Sequence, residues 1–258
     1  MFKHIPMLQP WQTGRVIRIE NETAQTRRFW IELPTLSSFD FEPGQFVTLD
    51  LPIHEKPNKR WRSYSIASWP DGTNVIELVI VFLEGGAGTN YLFNQVSVGS
   101  ELILRGPQGV FTLPESIEND LFFICTGTGI APFRSMTHHL LNHNVAHKGQ
   151  IYLLFGCRHF GDCLYGNELK ELESRLPDFH YIPTFSRENA GENPLTRTGY
   201  VHSIYEEICR QNQEQSTGDA LKAASFFLCG WKNMIDEAKQ RIQALGYDRK
   251  SIHQELYG

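Results

Sequence analysis

The sequence predicts two domains of different architecture: an antiparallel β-barrel over residues 1–113 and an α/β domain with a parallel sheet over residues 121–258, joined by a linker at 114–120. Three observations predict this. Before Leu113 the chain runs in short alternating apolar segments punctuated by Gly and Pro, the pattern of half-buried antiparallel strands. After Asp120, apolar strands alternate with helical stretches, as in a helix-covered parallel sheet. Between them PESIEND is polar and turn-rich. At 258 residues and 41% hydrophobic, the chain can bury a core in each domain.

The barrel strands are expected in GRVIRIENET, TRRFWIEL, PGQFVTLDL, RSYSIAS, NVIELVIVF and SELILRGPQG. One segment interrupts them. GAGTNYLFNQV, from Gly86 to Val96, reads as a glycine turn leading into a short helix, with Thr89 or Asn90 as its cap. In the second half LFFICTG precedes a helix through Phe133 to Asn142, and IYLLFG precedes one through Gly166 to Arg175. HYIPTF is followed by a loop and the helical SIYEEICRQ, SFFLCG by NMIDEAKQRIQAL, and IHQELYG is a final extended piece. Repeated β-α units place helices on both faces of the sheet.

Composition excludes several classes. With 24 Lys plus Arg against 29 Asp plus Glu, the net charge of −5 argues against general nucleic-acid binding. No apolar run approaches the ~20 residues that cross a bilayer. The first residues lack the apolar stretch and cleavage site of a secretory signal, and a cytoplasmic protein is expected. Five cysteines, an odd count with no C-x-x-C, indicate neither a disulfide framework nor an iron-sulfur centre. His139 and His143 are four apart on an expected helix, but no third ligand accompanies them, so no metal site is expected. The one basic patch, KPNKRWR from Lys56 to Arg62, is either a solvated loop or a contact for an anionic partner.

Two stretches point to phosphates. In CTGTGIAPF the glycines let the backbone approach an anion at a helix N-terminus, so Thr126, Gly127, Thr128 and Gly129 are candidate dinucleotide contacts. Pro132 stands where G-x-G-x-x-G would have its third glycine, and a tight packing turn is the alternative reading. The next strand ends carry Arg158, then Ser186 with Arg187, where an NAD site tends to carry an acid; a 2′-phosphate, and so NADPH, fits them, with surface ion pairing as the alternative. In WRSYSIAS, Arg62 can clamp a pyrophosphate, Tyr64 can lie on a flat heterocycle and Ser65 can bond a ring nitrogen, with an ordinary amphipathic strand carrying a surface Arg as the alternative. A second glycine turn, GGAGTN with Gly86, Gly88 and Thr89, adds a second phosphate cradle. Two nucleotide-like ligands, one beside an aromatic ring, suggest a flavin, either FAD or FMN.

Taken in order, RSYSIAS, GGAGTNYL, GPQGVF, TGTGIAPF, SRE, LCGWKNM and the aromatic carboxyl tail resemble the ferredoxin-NADP reductase superfamily, particularly its plant-type and bacterial members, over nearly the whole chain. The resemblance implies an FAD-binding barrel and a Rossmann-like NADP-binding domain. It implies Arg62, Gly86, Gly88 and Thr89 at the flavin diphosphate, Tyr64 on the isoalloxazine and Ser65 near N5. It further implies the GTG turn at the NADP pyrophosphate, Ser186 and Arg187 at the 2′-phosphate, and Tyr200 stacked on the adenine. Cys229 would lie beside the nicotinamide, a small buried residue ending a strand being the alternative, with Glu255 as the active-site carboxylate and Tyr257 stacked on the flavin, a frayed terminus being the alternative for the tail. Hydride from NADPH would pass to the flavin and electrons to a carrier protein, ferredoxin or flavodoxin. An NADH-dependent reductase serving an oxygenase or haem protein is the alternative, and a nucleotide-binding adaptor without turnover is a third reading.

Overall fold

The computed structural model describes residues 9–189, 191, 196–214 and 221–257, of Tyr257 the backbone only. Six strands form the first sheet: β1 (Gln12–Asn21), β2 (Thr26–Glu32), β3 (Phe46–Asp50), β4 (Trp61–Ser65), β5 (Val75–Val81) and β6 (Glu101–Gln108). They lie in the order β4-β3-β6-β1-β2-β5, each pair antiparallel. A bridge between Ile66 and Leu78, extended by Ala67 N–H donating to Glu77 C=O at 2.8 Å, joins the two edges into a barrel. The alternation is visible in β6, where Leu102 and Leu104 are buried and Ile103 between them is exposed.

Helix α1 (Ala87–Asn94) follows β5 as expected, but neither Thr89 nor Asn90 caps it. Gly86 occupies that position, and Thr89 Oγ1 instead accepts from Leu83 N–H and donates back to Leu83 C=O, both at 3.1 Å. The hydroxyl therefore closes the turn before the helix.

The second sheet comprises β7 (Asp120–Thr126), β8 (Ile151–Cys157), β9 (Phe179–Phe185), β10 (Arg197–Thr198), β11 (Ala224–Trp231) and β12 (Ile252–Tyr257), all parallel in the order β10-β9-β8-β7-β11-β12. Asp120, placed in the connector by sequence, opens β7, and β10 is too short to show as a pattern. Helices α2 (Ala131–Asn142) and α3 (Gly166–Glu173) share one core with one face; α4 (Val201–Glu214) and α5 (Lys232–Ala244) share a second core with the other. Period-two geometry divides adjacent phenylalanines between them. Phe122 stacks on Phe226 at 4.9 Å on the α4/α5 side, while Phe123 stacks on Phe133 of α2 at 4.9 Å on the opposite side.

Helix α2 begins two residues earlier than expected, and Pro132 lies in its first turn, where no backbone hydrogen bond is lost. The α2/α3 core also contains Ala67, Val79 and Phe111 of the barrel, so the domains are packed against each other through shared apolar contacts. Among the described residues no helix is long and apolar enough to cross a membrane.

Candidate functional site

A crevice of about 1470 Å³ opens between barrel and α/β domain. From the barrel it is lined by Arg62, Tyr64 and Ser65 of β4 and by Gly86, Gly88 and Thr89 at the start of α1. The two predicted flavin segments are thus in contact: a Cβ added at Gly88 would lie 3.1 Å from Arg62 Cγ. Arg62 is held by donating to Lys59 C=O at 3.1 Å and to Trp61 C=O at 2.8 Å. Burial pushes the Tyr64 phenol up to about 12, with nearby Arg62 pulling the other way, so the ring presents a neutral face.

Opposite them lie Thr126, Gly127 and Thr128, the strand end Gly230–Trp231, and Glu255. Ser65 Oγ donates to Glu255 Oε2 at 2.8 Å, joining residues 190 apart in sequence. Burial raises the Glu255 carboxyl above its ordinary value, and the Ser65 bond partly lowers it again. Glu255 is placed by register: β12 pairs with β11 so that Cys229 faces Glu255 and Gly230 faces Leu256.

Cys229 is fully buried, between Cys125 and Glu255 in the β7-β11-β12 register, and is not among the crevice-lining residues. What the same strand end presents is Trp231, 60% exposed over the crevice. Trp231 was not anticipated, although a large aromatic directly after L-C-G at a strand end was a readable signal. The side chain of Tyr257 lies outside the described residues; its backbone pairs with Trp231.

The glycine turn fits an anionic dinucleotide. Gly127 has φ +55° and Gly230 φ +141°, conformations suited to glycine, and a Cβ at Gly230 would lie 2.5 Å from Thr126 Oγ1. That hydroxyl is buried and has no hydrogen-bond partner among the described residues, leaving an acceptor and donor beside the turn. Gly129 does something else: a Cβ there would stand 2.3 Å from the Cys229 carbonyl oxygen. Gly129→Ala is therefore expected to force β11 and the turn apart and to destabilise the protein by about 1–3 kcal/mol, as read from thermal unfolding.

Arg158 and Arg187 extend from neighbouring strand ends. Ser186 N–H donates to Cys157 C=O and Arg187 N–H to Arg158 C=O, each at 3.0 Å, which carries the two loops side by side beyond β8 and β9. Both arginines are exposed, and neither is in an ion pair among the described residues. Arg158, Ser186 and Tyr200 line the crevice, and Tyr200 is 75% exposed; Arg187 stands outside the lining. Of the loop between Asn189 and Arg197, Ala190 and residues 192–195 lie outside the described residues.

The basic patch divides. Arg60 is committed to Asp50, its Nε donating to Oδ1 at 2.6 Å, and Arg62 lines the crevice, which leaves Lys56 and Lys59 exposed. His139 and His143 have ring centroids 4.4 Å apart, and no group of three metal-ligating side chains occurs among the described residues.

Comparison with known proteins agrees with this arrangement. The family model for the oxidoreductase FAD-binding domain matches residues 13–113, and that for the oxidoreductase NAD-binding domain matches residues 123–240. Ferredoxin--NADP reductase B of Sorangium cellulosum is 34% identical over 245 residues, which cover 95% of this chain and 96% of that protein. The glycine betaine monooxygenase reductase subunit of Pseudomonas aeruginosa is 29% identical over 254 residues; the match covers 97% of this chain but 66% of that protein. In fold, a ferredoxin NADP+ reductase from Neisseria gonorrhoeae superposes with a TM-score of 0.76 over 95% of this chain and 98% of its own, at 22% identity. The chain belongs to the ferredoxin-NADP reductase superfamily and is a flavin-dependent oxidoreductase whose cofactors are FAD and a nicotinamide dinucleotide.

Proposed function

We propose that this protein moves electrons between NADPH and a separate one-electron carrier protein of the ferredoxin or flavodoxin type. The observation that carries the reading is the Ser65–Glu255 hydrogen bond, which closes the gap between the flavin-side strand and the last strand of the dinucleotide domain at 2.8 Å. When bound, FAD supplies hydride acceptance from the reduced nicotinamide and release of electrons one at a time.

The protein's own work is positioning and proton handling. Residues 1–113 hold FAD, with Arg62 and the Gly86–Thr89 turn at its diphosphate and Tyr64 against its ring. Residues 121–258 hold the dinucleotide, with the 114–120 segment between them. The glycine turn from Thr126 to Gly129 receives the pyrophosphate, Arg158, Ser186 and Arg187 the 2′-phosphate, and Tyr200 the adenine. Ser65 Oγ donates to Glu255 Oε2 and orients that carboxyl, the group able to take up or release a proton, beside the crevice. Cys229 acts through the backbone it supplies to the Gly129 turn, and Tyr257 is the aromatic of the carboxyl tail that would face the flavin.

An acceptor protein would dock near Lys56 and Lys59, beside the crevice residues Trp61 and Arg62. Replacing both lysines by alanine is expected to slow carrier reduction about tenfold at low salt while dye reduction stays constant. Equal carrier rates would remove the docking proposal. The second reading, an NADH-dependent reductase of an oxygenase, is favoured by the likeness to the glycine betaine monooxygenase reductase subunit. Anaerobic titration with NADPH and with NADH, followed by candidate carriers, separates the two.

A further inference from the structure

The crevice is built from two domains, so its geometry depends on how they are held together, and one side chain spans that joint. Arg134 lies on α2, directly behind the dinucleotide turn, and is 3% exposed. One guanidinium nitrogen, Nη1, donates to Ala67 C=O at 2.7 Å and to Glu77 Oε2 at 3.0 Å, both in the barrel. The other two donate to Glu168 of α3 at 2.7 and 3.1 Å. Ala67 is two residues beyond Ser65. A single planar group therefore connects the segment carrying Ser65 to the helix that begins at the dinucleotide turn.

Its counter-charge is equally constrained. Glu77, 3% exposed, also accepts from Arg28 Nε at 2.6 Å and from the Tyr165 hydroxyl at 2.8 Å. Tyr165 reaches it from the left-handed region, φ +54°, with its own N–H donating to Glu22 at 2.7 Å. Such a conformation persists only where surrounding contacts over-determine it. On the far side Trp69 of the barrel stacks on His138 of α2 at 3.9 Å, and His138 bonds Glu168 at 2.6 Å. Apolar faces slide at small cost, whereas a buried guanidinium fork with fixed carboxylate partners tolerates no shift without leaving a charge unpaired.

Resting on the function proposed above, we infer that Arg134, with Glu77 and Tyr165, is a positioning residue for hydride transfer: it sets the distance between the flavin-facing strand and the dinucleotide turn. Displacing reacting groups by about 1 Å costs on the order of a hundredfold in rate. Arg134→Lys keeps the charge but cannot reach Ala67, Glu77 and Glu168 together. In its FAD-loaded fraction the hydride-transfer constant at saturating nucleotide should fall about 10- to 100-fold with nucleotide affinity unchanged. Tyr165→Phe, which removes one hydroxyl, should shift the constant the same way by several-fold, and it carries the test if Arg134→Lys fails to load FAD.

A second readout does not use activity. Calorimetry of the flavin-free protein should show one unfolding transition in the wild type and two in Arg134→Lys, as the domains uncouple. A lowered melting temperature with a single transition and wild-type hydride transfer would overturn the inference and leave Arg134 structural only. If neither nucleotide reduces the wild-type flavin, the proposed function fails, and with it the hydride-transfer role; the calorimetric result then decides only whether Arg134 couples the domains.

Discussion

Ser65→Ala is expected to slow hydride transfer by about 10²- to 10³-fold while flavin content and nucleotide affinity remain close to wild type. The hydroxyl is the barrel's one hydrogen-bond donor to Glu255 among the described residues, at 2.8 Å, and the substitution removes it without adding bulk to the buried end of β4. Its pH dependence has a defined sign. Burial already raises the Glu255 carboxyl above the ordinary carboxylate value, and the Ser65 bond is what lowers it. Without the hydroxyl, the folded-state value rises further, so the inflection in the pH profile of hydride transfer should move to higher pH. Linkage runs the same way. A folded pKa above the unfolded one adds stability that is fully present below the unfolded value and is lost as pH rises through the folded value. Unfolding measured across that window should therefore show Ser65→Ala losing stability with rising pH over a wider range than the wild type. A pH profile that stays in place while the rate falls would mean that Ser65 orients the ligand and does not govern Glu255.

Arg158→Ala with Arg187→Ala is the second large effect, and it is selective. Each guanidinium is exposed at a strand end and has no ion-pair partner among the described residues, so its loss leaves no buried group unsatisfied and should cost little stability. A charge-assisted hydrogen bond to a phosphate contributes about 1.5–3 kcal/mol. The pair should accordingly lower kcat/KM for NADPH by at least about 10²-fold, mostly through KM, and leave NADH unaffected. Steady-state kinetics with both nucleotides checks it. Parallel losses with NADPH and NADH would remove the 2′-phosphate assignment, and a wild type that prefers NADH would favour the oxygenase-reductase reading.

Much of this arrangement was readable because it depends on local pattern. Period-two alternation located all six barrel strands, and apolar segments alternating with helical stretches marked the parallel sheet of the second domain. Glycine turns before helices identified both halves of the crevice, since close backbone approach leaves a local trace. Contacts between distant segments leave none. Nothing around Thr89 shows that its hydroxyl serves Leu83, and L-C-G leaves open whether Cys229 meets a ligand or is buried, without revealing that Trp231 lines the crevice. Glu77 did leave a signal, a lone acid inside the apolar run NVIELVIVF, but its partners Arg28, Arg134 and Tyr165 come from three other parts of the chain. A buried acid announces that some cation must meet it without saying which.

The central claim, that both cofactors share the crevice where Ser65 meets Glu255, is tested most directly by anaerobic rapid mixing of the FAD-loaded protein with NADPH deuterated at the transferring hydrogen. Flavin absorbance should bleach in one nucleotide-dependent phase, slower with the deuterated than with the ordinary nucleotide. A flavin that dithionite bleaches but neither NADPH nor NADH touches would contradict it.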